Sequence, residues 1–118
     1  MAPAVDTSAL EIDPRAVFDW RAREPDLQLI DVREPHEHEA GHIEGDRHVP
    51  LVELAAAASS LAQERPVVFY CRVGSRSQMA AQAYRTAGFE AYSMSGGLLR
   101  WAGEQLPLTP EDGHVADH

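Results

Sequence analysis

The chain has a single cysteine, no lysine and no long apolar run. One cysteine excludes an internal disulfide, and it also excludes a CxxC redox pair or zinc motif. No stretch approaches the roughly 18 consecutive apolar residues of a membrane span. The opening MAPAVDTSALEID lacks both the basic and the apolar regions of a signal peptide. A cytoplasmic location is therefore expected by default. Repeats and low-complexity tracts are also lacking. The 118 residues fit one domain, large enough to bury its own core without staples.

Basic charge is scarce, and all ten basic residues are arginine. The net charge of −9 argues against nonspecific binding to nucleic acid or to an anionic membrane, so neither is expected as a partner. The charge is also uneven. Arg65 to Phe89 holds four arginines and no acid, so the −9 is a +4 segment set against a remainder of −13. The lone cysteine, Cys71, lies inside the positive segment. Such a segment attracts an anionic substrate.

Strand and helix signals alternate along the rest of the chain. Leu10–Ile12 reads as a short strand, followed by Asp13-Pro14, an N-cap with Pro at the first helical position. Leu27–Val32 and Pro66–Tyr70 are apolar, β-rich runs that read as buried strands. Glu34-Pro35 opens a short helix through Ala40, and Val49 sits in a brief extended piece. Leu51–Ala62 reads as one helix, and Ser75–Ala87 as another with Met79, Ala80, Ala83, Tyr84 and Ala87 on its apolar face. Gly88 is the expected C-terminal stop, Glu90–Met94 the next strand, and Leu98–Glu104 the last helix, turned by Gly96-Gly97. The pattern predicts an α/β fold, with a mainly parallel sheet of about five strands and helices on both faces. Residues 1–8 and 109–118 read as disordered tails around a domain at 9–108.

Cys71 falls where the strongest strand meets a helix, the edge at which parallel sheets bind ligands. On its own it reads as a small buried hydrophobe. Its surroundings, Cys71-Arg72-Val73-Gly74-Ser75-Arg76, point to chemistry instead. The thiolate is the nucleophilic form of cysteine, and a helix N-terminus and neighbouring arginines favour it. Gly74 permits a turn that aims several backbone N–H groups inward. Arg72 and Arg76 add permanent charge, and a guanidinium fork can grip an oxyanion.

In this loop the sequence resembles the rhodanese family, across nearly all of residues 9–108. The resemblance continues upstream in Asp31-Val32-Arg33-Glu34, Gly41-His42-Ile43, Gly45 and Pro50, and downstream in Gly96-Gly97 and Trp101. Asp46 departs from it, standing where the family usually has a small residue such as Ala. The resemblance implies a three-layer rhodanese-like sandwich and a thiosulfate sulfurtransferase with Cys71 as nucleophile and persulfide carrier. It implies a persulfide-binding loop of Arg72, Val73, Gly74, Ser75 and Arg76, with Arg76 ordering the loop and Arg72 meeting an anionic donor. Arg33 is a secondary candidate for substrate contact. Only four residues separate Cys71 from Arg76, a shorter spacing than in tyrosine-phosphatase-like loops, which suits a sulfur atom better than a tetrahedral phosphate.

With no second thiol in the chain, sulfur on Cys71 must leave to an external acceptor: cyanide, a thiol or dithiol, or a sulfur-carrier protein. An alternative reading is a sulfur-relay or interaction module passing persulfide sulfur between proteins with little thiosulfate turnover. No cofactor is expected. His36, His38, His42 and His48 crowd one acidic segment. His36 and His38 are two apart and so face different sides of a helix. The expectation is no metal site but exposed or locally hydrogen-bonded histidines.

Overall fold

The apolar runs of the sequence become the strands of one sheet. The computed structural model describes residues 9–117. The expected tail at 1–8 and His118 lie outside the described residues. In chain order the elements are β1 (Glu11–Ile12), α1 (Pro14–Arg23), β2 (Gln28–Asp31), α2 (Pro35–Ala40), β3 (Arg47–His48), α3 (Leu54–Ala57), β4 (Val67–Tyr70), α4 (Ser75–Thr86), β5 (Ala91–Met94) and α5 (Gly97–Gly103). The five strands pair in the order β1-β5-β4-β2-β3, and every pairing is parallel.

Strand β4 is central and buried on both faces, which explains its unbroken apolar sequence. Alternation along it sends Val68 and Tyr70 to one side, where Val17 and Trp20 of α1 and Leu98 and Trp101 of α5 pack. It sends Val67, Phe69 and then Cys71 to the other, against Leu54 of α3 and Ala80, Ala81 and Tyr84 of α4. The sheet is thus sandwiched between two helical layers, the α/β architecture the sequence implies. The Phe69 and Tyr84 rings meet edge-on at 4.9 Å, and those of Phe18 and Trp101 at 5.9 Å. Burying side chains of this size contributes about 2–3 kcal/mol each.

Local chemistry explains the helix starts. The Asp13 carboxylate accepts from Ala16 N–H at 2.9 Å, capping α1. Glu34 and Glu37 form a capping box at α2.

Three elements differ from the sequence expectation. Residues 51–62 are not one helix but a 3-10 turn, the single α-turn α3, and a second 3-10 turn ending at Ser60. The Gln28 side chain accepts from Ala62 N–H at 2.8 Å and donates to Ala62 O at 2.9 Å, taking the backbone groups a longer helix would use. Helix α4 is rotated from its expected face. Met79 is 56% exposed, while Ser77, Ala80, Ala81 and Tyr84 form the buried stripe. Residues 109–117 do not hang free as a tail. His42 and Thr109 exchange backbone hydrogen bonds at 2.9 and 2.8 Å, and His114 N–H donates to Ala40 O at 2.9 Å. The extended backbone at His42 offers unpaired groups, and the C-terminal segment supplies their partners. Among the described residues no helix is long and apolar enough to cross a membrane.

Candidate functional site

The carboxyl ends of β4, β2 and β3 lie side by side, and the residues singled out in the sequence gather there. Cys71 leaves β4 fully buried. The chain turns through Arg72, Val73 and Gly74 and enters α4 at Ser75. Gly74 has φ +110°, a left-handed value that a side chain would strain. This conformation swings Gly74 N–H onto Cys71 Sγ at 3.0 Å, and Ser77 N–H also donates to the sulfur, at 3.4 Å. Helix α4 has no side-chain oxygen cap at Gly74. The sulfur takes that place, since Ser77 is the third helical residue, whose N–H a capping side chain ordinarily receives.

The loop carbonyls are held from the other side. Leu98 N–H donates to Cys71 O at 2.8 Å and Leu99 N–H to Arg72 O at 3.0 Å. Gly97 permits this approach, because a Cβ there would overlap the Arg72 and Cys71 carbonyls. The conspicuous Gly96-Gly97 pair therefore holds the loop as well as turning the chain.

The two expected arginine roles separate. Arg76 turns its fork away from the sulfur and onto Glu37 of α2, with both nitrogens donating to the carboxylate, at 2.8 and 3.0 Å. Glu37 is fully buried. Burial disfavours its charge, but the Arg76 bonds, the Glu34 N–H bond and nearby guanidinium charge outweigh that, so its pKa falls below the ordinary 4.5. Arg76 thus ties the start of α4 to α2. Arg72 stays near the surface, its side chain 21% exposed and paired with the carboxylate of Asp117 at 3.3 Å. Its Nε is buried without a hydrogen-bond partner among the described residues.

Arg33, the secondary candidate, has its guanidinium inside the fold. It is fully buried, donates to both carboxylate oxygens of Asp31 at 2.9 and 2.8 Å and to Gly41 O at 2.7 Å, and lies 5.6 Å from the Tyr70 ring centre. It clamps the end of β2 to the end of α2. Val73 and Ser75 lie on the loop without touching the sulfur by hydrogen bond, and Val73 is 44% exposed at its mouth.

The sequence reading stopped the cradle at Arg76 and so missed Ser77, Ser93 and Glu37. Ser77 Oγ lies 3.5 Å from Cys71 Sγ, donates to Gly74 O at 3.1 Å and lies 2.7 Å from Ser93 Oγ of β5. The free N–H groups of a helix extend through its third residue, which was the available signal for Ser77. Asp46 accepts from the Tyr70 hydroxyl at 2.5 Å, so the departure from the family pattern has a partner in the core. His38, His42 and His48 are locally hydrogen-bonded, as expected, and His36 is exposed.

Comparisons with known proteins agree with this geometry. The uncharacterized protein YqhL of Bacillus subtilis is 42% identical over 87 residues, covering 73% of this chain and 69% of that one. Thiosulfate sulfurtransferase GlpE of Pseudomonas paraeruginosa is 37% identical over 83 residues, covering 67% and 73% respectively. A rhodanese-related protein from Thermoplasma volcanium has the same fold, with a TM-score of 0.78 at 24% identity over 86% of this chain and 98% of that one. Other relatives are longer, and the chain spans only 25% of one and 46% of another. The rhodanese-like domain family matches residues 16–104, and with the Cys71 loop at the end of the central parallel strand this chain belongs to that family.

Proposed function

We propose that this chain is a thiosulfate sulfurtransferase that carries sulfane sulfur as a persulfide on Cys71. The observation that carries this reading is the sulfur's position as acceptor of Gly74 and Ser77 N–H at the start of α4. Backbone donors already aimed at the place where negative charge sits need no reorganisation during reaction. Membership of the rhodanese-like family and a sulfurtransferase relative support sulfur transfer as the chemistry.

In the first half-reaction the Cys71 thiolate attacks the outer sulfur of thiosulfate. An S–S bond forms on Cys71, the bond from that sulfur to the sulfite sulfur breaks, and sulfite leaves with the electron pair. The negative charge then rests on the terminal sulfur. In the second half-reaction a thiophile such as cyanide or an external thiolate attacks that sulfur and returns Cys71 as thiolate. Such a cycle gives ping-pong kinetics. Arg76 and Glu37 act as positioning residues, fixing the start of α4 against α2. Arg72 draws the dianionic donor to the mouth, where it exchanges its contact with the exposed Asp117 for the incoming anion.

Mass spectrometry of the intact protein after incubation with thiosulfate tests the reading. A gain of one sulfur, lost again when cyanide is added with release of thiocyanate, supports it. An unchanged mass together with no thiocyanate overturns it.

A further inference from the structure

The segment PHEHEAGHIEGDRH is only partly used by the sulfur site. Its helix α2 carries His38, the chain leaves the helix at His42, turns at Gly45-Asp46, and returns along β3 to His48. This path stacks three imidazoles. The His38 and His42 rings lie 3.8 Å apart at 17°, and the His38 and His48 rings 4.4 Å apart at 13°. Asp46 stands beside the stack, and one ligand atom from each of His38, His42 and Asp46 lies within 4.8 Å of the others.

Among the described residues the hydrogen bonds engage one nitrogen of each ring. A carbonyl oxygen can only accept, so His42 donates from Nδ1 to His38 O at 2.8 Å, and its Nε2 keeps a lone pair. His38 donates from Nδ1 to the Asp31 carboxylate at 2.9 Å, leaving its Nε2 free. His48 donates from Nε2 to Arg33 O at 2.7 Å. An imidazole whose Nδ1 is tied to a carbonyl or carboxylate is the tautomer that presents Nε2 to a metal.

The charges agree. Asp31 has Arg33 as its cation. The Asp46 side chain is 3% exposed, and among the described residues no arginine pairs with it. Among the described residues it accepts only the Tyr70 hydroxyl at hydrogen-bond distance, and His38 Nδ1 lies 3.8 Å away. A buried carboxylate in that position is stabilised by a bound cation. The His38 side chain is 20% exposed, so the cluster reaches the surface.

We propose that His38, His42 and Asp46 form a binding site for a divalent transition ion of the zinc class. Two imidazoles and a carboxylate match the ligands of zinc, and three protein ligands leave a fourth position for water. Zinc–ligand bonds of about 2.0–2.1 Å set tetrahedral donors about 3.4 Å apart, and an imidazole lone pair lies in its ring plane, so closing the set requires His38 and His42 to swing out of their parallel stack as well as to approach. The site is independent of Cys71 and does not rest on the sulfur-transfer reading.

The test is calorimetric titration of the tag-free chain with zinc chloride at a pH where histidine is neutral. Wild type, Cys71→Ser and His36→Ala are expected to bind one ion with equal affinity. His42→Gln and Asp46→Asn are expected to lose at least about tenfold in affinity. Zinc is also expected to raise the thermal midpoint of wild type, because it binds only the folded chain. Absence of binding by wild type, its loss in Cys71→Ser, or its retention in both His42→Gln and Asp46→Asn overturns the proposal. Circular dichroism checks that the variants fold. The visible spectrum of cobalt-loaded wild type decides the case where they do not. Tetrahedral bands without thiolate charge transfer support the site, and a thiolate band or no tetrahedral band overturns it.

Discussion

Two regions at the same end of the sheet are built on opposite plans. Around Cys71 the contacts to the reactive atom are mostly backbone: Gly74 and Ser77 N–H on the sulfur, with Leu98 and Leu99 N–H bracing the loop from behind. Around His38 the contacts are side chain on side chain, in a ring stack flanked by two carboxylates. The first plan fixes an atom's surroundings through chain conformation and tolerates many side chains. The second depends on each residue being what it is. Tyr70 joins them. It precedes Cys71 in the chain, and its hydroxyl donates to Asp46 beside the stack.

The sharpest way to separate the regions is Cys71→Ser. Sulfur transfer in the thiosulfate–cyanide assay should be lost entirely. The fold should remain, because serine can accept the same two N–H bonds, and zinc binding at the histidine stack should be unaffected. Persistent turnover would break the assignment of the nucleophile.

Arg76→Ala should come next in size. It leaves the fully buried Glu37 carboxylate without its bidentate partner, a loss of about 3–5 kcal/mol when a buried pair is broken from one side. Denaturant unfolding measures it. Replacing both partners, in Glu37→Gln with Arg76→Met, should recover most of the stability while transfer stays low, because the start of α4 is no longer tied down.

Ending the chain after Leu108 should have a smaller and one-sided effect. It removes the hydrogen bonds between His42 and Thr109 and between His114 and Ala40. The expected loss is about 1–2 kcal/mol, with weaker zinc binding and with sulfur transfer retained. A deletion that harms transfer more than metal binding would reverse the comparison.

The smallest effect is a pH dependence. Glu37 has its pKa lowered in the fold, so its contribution is complete above the ordinary value of 4.5 and is lost as pH falls through the depressed folded value. Unfolding midpoints measured between about pH 6 and about pH 3 should fall more steeply for wild type than for Glu37→Gln. Equal slopes would remove Glu37 from the acid response.

The two plans also differ in how far they can be read from sequence. The cysteine loop is local. A β-branched run, one cysteine, a glycine and a helix start lie within about a dozen residues, so backbone rules suffice to place it. Ser77 escapes only because an apolar-stripe argument turns α4 toward Met79, whereas the sulfur and Ser93 draw a serine into the buried face. The Glu37–Arg76 pair joins residues 39 apart in sequence, and no local pattern announces it. The histidine stack has the same character, since His38 and His48 meet only after β3 docks beside β2. The break in the 51–60 helix depends on Gln28, which reaches it from another strand. The C-terminal segment looks like a free polar tail because its anchor is the backbone at His42, and backbone groups leave no trace in composition.

The capping of α4 by the cysteine sulfur has a thermodynamic consequence. On the proposed mechanism the atom that receives the cargo also closes the helix, so loading and helix stability are reciprocal quantities. If a persulfide caps α4 better than a thiolate, loading stabilises the first turn of the helix, and a formed first turn favours loading by the same factor. On the proposed mechanism, a substitution in the first turn of α4 that favours one loading state over the other shifts sulfur retention without touching substrate.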